Sequence, residues 1–450
     1  MLGWFTPKCP INTREKAWTE TRMRWLADHF GIDRLLRAEV VLPNEDYFPD
    51  PHPVDEKGVR QLLDRMCGYM GVSPSKVSLE IRAEERMPGA AGLYEQSQGS
   101  LIVINRAQLN DPVRLLATLA HELAHELLVG GGLLEIDAPD HELVTDLLPV
   151  FLGTGIFSAN ATVQDKSGSS GTWSWWQISR QGYLPSQMFG YAFALFAFVR
   201  GEQDPPWARY LRLDASAALK AGLRYLDRTG DTLFHPDTVR AKTSAPTPDA
   251  AVERLRTGTP TVRLATLSDI REHALIGPKV LEAVRACLDD GDPNIPGEAA
   301  RALCVFGPMA ERAVPRLVDA LSQGNTDTKI GAAHALGAIQ SFPETVVAEL
   351  GVALRDGHSG VIMAAAEALQ AFGPQAESAV PRLLAALEPA LVHCDHSRIE
   401  SLLGALSAVT ADARKHLRDY FADRDHELGR IALDMFREHL YRAKKGSAEG

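Results

Sequence analysis

Cysteine is scarce in this 450-residue chain, and its pattern offers no pairing: Cys9, Cys67, Cys287, Cys304 and Cys394 are odd in number and show no CxxC spacing. That disfavours the disulfide framework of a secreted scaffold, and each thiol is expected in a core within a reducing compartment. Long apolar runs are missing as well. The most apolar stretch, Tyr191 to Val199, is about half of the ~20 residues that cross a bilayer, so it reads as a buried helix and no membrane partner is expected. Basic excess is also lacking. A formal net charge of -11 and a sequence pI of about 5.7 oppose the counterion release that tight nucleic-acid binding requires, which sets nucleic acid aside. Met1 to Lys8 do not show the charged start and apolar run of a secretory signal, and a cytoplasmic location is the expectation.

What is present suffices for packed cores: 45% of residues are hydrophobic and 23% charged, and the length suggests two or three domains. The C-terminal part declares itself by repetition. Glu298 to Leu303, Gly331 to Leu336 and Ala364 to Leu369 are matching Ala-rich blocks that place Leu303, Leu336 and Leu369 at a 33-residue period. Val314 to Leu321, Val347 to Leu354 and Val380 to Leu387 keep the same step. Two helices per unit follow, with Gly307-Pro308 and Gly373-Pro374 ending the first and Pro315 and Pro381 near the start of the second. Such pairs resemble HEAT repeats, in the short form also seen in phycobilin-lyase-like proteins. The resemblance implies an all-α solenoid over 263–445 whose extended surface holds a protein partner.

A Pro/Thr/Gly-rich passage over 241–262 reads as a linker, leaving 1–240 as the N-terminal domain. Within it, Trp18 to Phe30 and Glu56 to Met70 have helical spacing, and Ala38 to Leu42 reads as a short strand. Strand signals follow at Lys76 to Ile81, Ala91 to Tyr94 and Ser100 to Asn105, the last two joined as a hairpin. Asp111-Pro112 then opens a helix in cap-then-proline order, running to Gly130.

The chemistry lies in that helix. His121-Glu122-Leu123-Ala124-His125 puts two imidazoles one turn apart on one face, where both can reach a single zinc ion. Glu122, beside them, is placed as general base toward the water that zinc activates. Glu126 turns away and reads as a solvated charge. A third ligand is needed, and the apolar helix from Asp140 to Leu152 carries Glu142 and Asp146 on one face. From the residues alone Glu142, Asp146 and His141 all compete for that role.

HExxH followed by a helix bearing Glu-x-x-x-Asp resembles the gluzincin metallopeptidases, the thermolysin-like class. The resemblance covers about 76–157, with a helical extension to about 228, and implies an α+β domain with a small mixed or antiparallel sheet. It makes Glu142 the third ligand and Asp146 the partner of His121. It also implies that Ser100 to Asn105 or Ala91 to Glu95 holds an extended peptide by edge pairing. Tyr183 and Tyr191 are candidate oxyanion donors, and Trp173, Trp175 and Trp176 candidate cleft residues. His235 and the cluster His393 to His396 lack zinc-like spacing. The expected function is zinc-dependent peptide hydrolysis with repeats that bind a protein substrate or partner. The alternative is a repeat scaffold whose metal domain does not cleave.

Overall fold

The structure, a computed structural model, describes residues 7–50, 55–83, 91–96, 100–136, 138–161, 184–236, 239, 247–422 and 424–449, the last seven as backbone only. The chain divides into two compact units, Met1–Ser244 and Ala245–Gly450. None of the described helices is long and apolar enough to cross a membrane.

The first unit is mostly helical around a small sheet. Its helices are α1 (Thr13–Phe30), α2 (Ile32–Leu36), α3 (Glu56–Met70), α4 (Pro112–His125), α5 (His141–Leu152), α6 (Ile156–Ala161), α7 (Ser186–Val199) and α8 (Leu213–Thr229). The strands are β1 (Val77–Arg82), β2 (Gly92–Gln96) and β3 (Ser100–Asn105), in the order β1-β3-β2. β2 and β3 form the expected antiparallel hairpin, while β1 pairs with β3 in parallel, Val77 opposite Ser100. Ser100 to Asn105 is therefore the central strand. With both sides hydrogen-bonded it has no free edge, and among the described residues β1 and β2 are the two edge strands, β2 being the outer strand of the hairpin.

The expected strand at 38–42 is not formed; the segment is held instead by Val41 N–H donating to Gly153 O at 2.9 Å, by Arg200 donating to Ala38 O at 2.8 Å and by burial of Val41 in the core. Gly153 takes a positive φ of 88° and approaches Glu39 so closely that a Cβ would lie 2.3 Å from its carbonyl oxygen, a contact that glycine alone allows. Core residues come from α1, α3, α4, α5, α7 and the sheet, including Met23, Leu63, Ile102, Leu119, Phe151 and Phe193.

Two features of α4 follow directly from sequence. Asp111 accepts a hydrogen bond from the Arg114 N–H at 3.2 Å and Pro112 stands in the first turn, where its missing N–H costs nothing. At its other end the helix widens into a π turn over Glu126–Gly130 before the glycines end it.

The second unit is a stack of helix pairs: α9 (Pro248–Thr257), α10 (Pro260–Glu272), α11 (Pro278–Ala286), α12 (Ile295–Leu303), α13 (Val314–Gln323), α14 (Thr326–Ile339), α15 (Pro343–Ala353), α16 (Ser359–Phe372), α17 (Val380–Val392), α18 (His396–Val409), α19 (Ala413–Ala422) and α20 (His426–Glu449). Much of the passage read as a linker is helical. Thr247 and Thr259 accept from the N–H groups of Ala250 and Val262, so Thr-Pro pairs that resemble linker chemistry are helix starts.

α12, α14, α16 and α18 pack in succession. Their approach depends on missing side chains: a Cβ on Gly331 would lie 2.4 Å from the Gly297 carbonyl oxygen, and one on Gly337 2.9 Å from the Ala368 Cα. The turn after each first helix also repeats, with positive φ at Ala274, Gly307, Gln340 and Gly373 (46°, 51°, 54° and 57°), each 33 residues after the last. Cys67 and Cys287 are buried and Cys9 and Cys304 half-buried, but Cys394 is exposed, contrary to expectation, because it lies at the φ-positive turn between α17 and α18.

Candidate metal centre

α4 delivers His121 and His125, and α5, packed against it, delivers Glu142 from its first turn. One ligand atom from each of these three residues lies within 4.8 Å of the others, and among the described residues no other such group forms. The Glu142 Oε2 oxygen stands 3.1 Å from His121 Nε2 and 3.5 Å from His125 Nε2. That oxygen is buried and makes no hydrogen bond. Three ligand atoms bound tetrahedrally at about 2.0–2.1 Å from zinc would stand about 3.3 Å apart. The two distances from Glu142 match that separation, and two imidazole nitrogens with a carboxylate oxygen are a donor set that suits zinc with a fourth position left to water.

The partners behind these atoms fix their direction. His121 Nδ1 donates to Asp146 Oδ1 at 2.8 Å, which turns Nε2 toward Glu142. Asp146 is 1% exposed, and its second oxygen accepts from the Leu184 N–H at 2.9 Å. Both its oxygens are occupied, which removes Asp146 as a direct ligand. His125 Nδ1 faces Thr145 Oγ1 at 3.5 Å, and that hydroxyl donates to the His141 carbonyl at 2.8 Å. His141 donates through Nδ1 to Ala138 O, and its Nε2 approaches the other Glu142 oxygen, Oε1, at 3.2 Å. It stands against Glu142 and does not join the converging group.

Burial and charge set the protonation of the site. Burial lowers the proton affinity of His121, but the Asp146 carboxylate that it hydrogen-bonds and the Glu142 carboxylate beside it outweigh this and hold the imidazole well above its usual pKa. Burial lowers that of His125, against a smaller upward pull from Glu142. Burial would raise Glu142, yet His121 and His125 keep it well below the usual carboxylate range. Glu122, only 4% exposed, is pushed up to about 7 by burial, with His121 opposing and Glu142 and Asp146 adding. A carboxyl in that range can take and return a proton near neutrality.

Several residues around the site carry no signal in the sequence. Gly92 brings β2 against α4, where a Cβ would lie 2.5 Å from Glu122 Oε1. Tyr94, two residues on, stacks on the His125 ring at 5.9 Å between centroids and donates to Glu126 Oε2 at 2.8 Å. Ser100 donates to the same oxygen. Glu126 is thus half-buried and holds the hairpin, where a solvated charge was expected. Asp140, just before α5, accepts from Trp18 Nε1 at 2.8 Å and from Arg22 Nε at 2.7 Å, so α1 fixes the start of the Glu142 helix.

Of the remaining candidates, Tyr191 is fully buried and donates to Glu20 Oε1 at 2.6 Å. Its hydroxyl is committed to the core, which removes it as an oxyanion donor. Tyr183, Trp173, Trp175 and Trp176 lie outside the described residues. His235 packs edge-on against Phe198, and Asp395 caps α18 by accepting from the Arg398 N–H at 3.1 Å.

Comparison with known proteins reaches the repeats. Residues 314–406 match the family of HEAT repeats. No curated protein matches the sequence. Among solved structures, the complex of CpcE and CpcF of phycocyanin lyase from Nostoc sp. is 23% identical with a TM-score of 0.33, over 42% of this chain and 76% of that one. An engineered protein is 21% identical, also with a TM-score of 0.33, over 43% of this chain and 97% of that one. The family match does not extend into the first unit.

Proposed function

We propose that the first unit is a zinc-dependent hydrolase centre acting on peptide bonds, and that the repeat unit binds a protein substrate or partner. The observation that carries the first half is the buried, hydrogen-bond-free Glu142 Oε2 set 3.1 and 3.5 Å from two imidazole nitrogens. His121, His125 and Glu142 would hold the ion. Zinc there supplies Lewis acidity, polarising a carbonyl and easing the loss of a proton from water.

The chain's own groups do the rest. Glu122 takes the proton of the attacking water and returns it to the leaving amine, a role suited to a buried carboxyl with raised proton affinity. Asp146 and Thr145 hold the imidazoles in the tautomers that face Glu142. Gly92 keeps the edge strand clear of Glu122, and the outer side of β2 offers backbone groups to an extended peptide.

The HEAT match favours a second reading, and the comparisons back it better than they back hydrolysis: a repeat scaffold whose metal domain does not cleave. Zinc-loaded wild type and Glu122→Gln, assayed on a quenched peptide library, separate the two. Hydrolysis in the wild type that falls at least about a hundredfold in Glu122→Gln supports the enzyme. A fully loaded wild type that cleaves no peptide supports the scaffold.

A further inference from the structure

The repeats expose large apolar side chains at one recurring place. Ile276, Met309 and Phe342 are 49%, 57% and 51% exposed, are 33 residues apart, and stand in the turn between the two helices of three successive pairs. Exposed apolar residues scattered singly need no explanation, whereas an aligned row does. Phe342 adds a cost, since an aromatic residue at φ 54° is held in a backbone region that L side chains avoid. A second row runs beside the first. Glu311, Glu344 and Glu377 keep the same period, all are exposed, and none has an ion-pair partner among the described residues. No lysine or arginine occurs in 341–354 or 371–381, while in the turn of Met309 the exposed Arg312 follows Glu311.

We infer that this turn edge is a docking ridge for a basic amphipathic helix of a partner protein. The inference rests on the reading of the repeats as a protein-binding array and names the surface and the partner chemistry. Apolar anchors account for the first row, and cationic side chains complement the second. Spacing selects the helix. Packed helices stand about 8–10 Å apart, and seven residues of helix advance about 10.5 Å, so apolar side chains every seventh residue would meet successive turns.

The test uses the full chain and a fluorescent 21-residue Ala-rich helical peptide with three leucines seven residues apart and lysines between them. Its controls are the same peptide with glutamate for lysine, and a random-peptide display selection on the full chain. The ridge predicts binding of the lysine peptide, at least tenfold weaker binding of the glutamate peptide, and affinity that falls as salt rises. Substituting Ile276→Ser, Met309→Ser and Phe342→Ser together should weaken binding at least tenfold. Glu311→Gln, Glu344→Gln and Glu377→Gln together, a set that leaves the apolar row intact, should flatten the salt dependence. Equal binding by wild type and both variants, or no binding of the lysine peptide, overturns the ridge. Selected peptides that bind wild type and both variants alike would retain the protein-binding array while still overturning the ridge. A selection without any binder, together with a silent probe, would overturn both.

Discussion

Asp146 decides how His121 meets a cation. Because its carboxylate holds the Nδ1 proton, Asp146→Asn should lower zinc affinity by about 10–100-fold, read by competition with a chromophoric chelator. Protons compete for the same imidazole. With the His121 pKa raised, the proton stays on to higher pH, so binding zinc must expel it and affinity should climb with pH through neutrality. Calorimetry in two buffers of different ionisation enthalpy would show about one proton released per ion, and a pH-independent affinity would refute this. The site residues on α4 and α5 were legible because i,i+4 spacing alone puts His121 with His125, and Glu142 with Asp146, on single faces. Tyr94 and Gly92 were not, since their meeting with His125 and Glu122 is made by sheet packing that no local spacing encodes. Glu126 was misread because an ideal helix turns it outward, whereas here the hairpin supplies two hydroxyl groups to it.

At the level of elements, the hairpin could be read from alternation and turn residues. The parallel addition of β1 could not, because its pairing with β3 joins residues 23 positions apart in sequence, and it is this pairing that makes β3 central. Edge position gives β2 its proposed role, and Gly92 tests it. Gly92→Ala should leave zinc binding near wild type while cutting hydrolysis, since its Cβ would strike Glu122 Oε1. Loss of metal together with activity would show instead that the strand supports the ligands. In the repeats, glycine governs helix approach. Gly331→Val should cost about 1–3 kcal/mol by overpacking, which lowers the melting temperature by about 2–4 °C per kcal/mol in a unit of this size. An unchanged melting curve would mean that α12 and α14 separate freely.

Across the whole molecule, the 33-residue period was the most legible feature, since each repeat obeys the same local rules and repetition amplifies them. The Thr-Pro passages were less so, because the residues that form linkers are also those that start helices. Ligands for the proposed ion all lie in the first unit, so zinc should stabilise that unit by mass action, by about 4 kcal/mol at a thousandfold excess over Kd. Metal content decides whether His121, His125 and Glu142 hold an ion together. Purified wild type and Glu122→Gln, analysed by elemental mass spectrometry after removal of loosely held ions, should each carry about one zinc per chain, while His121→Ala and Glu142→Ala should carry little. Full occupancy in Glu142→Ala would remove Glu142 from the ligand set, and none in the wild type would rule out the zinc centre.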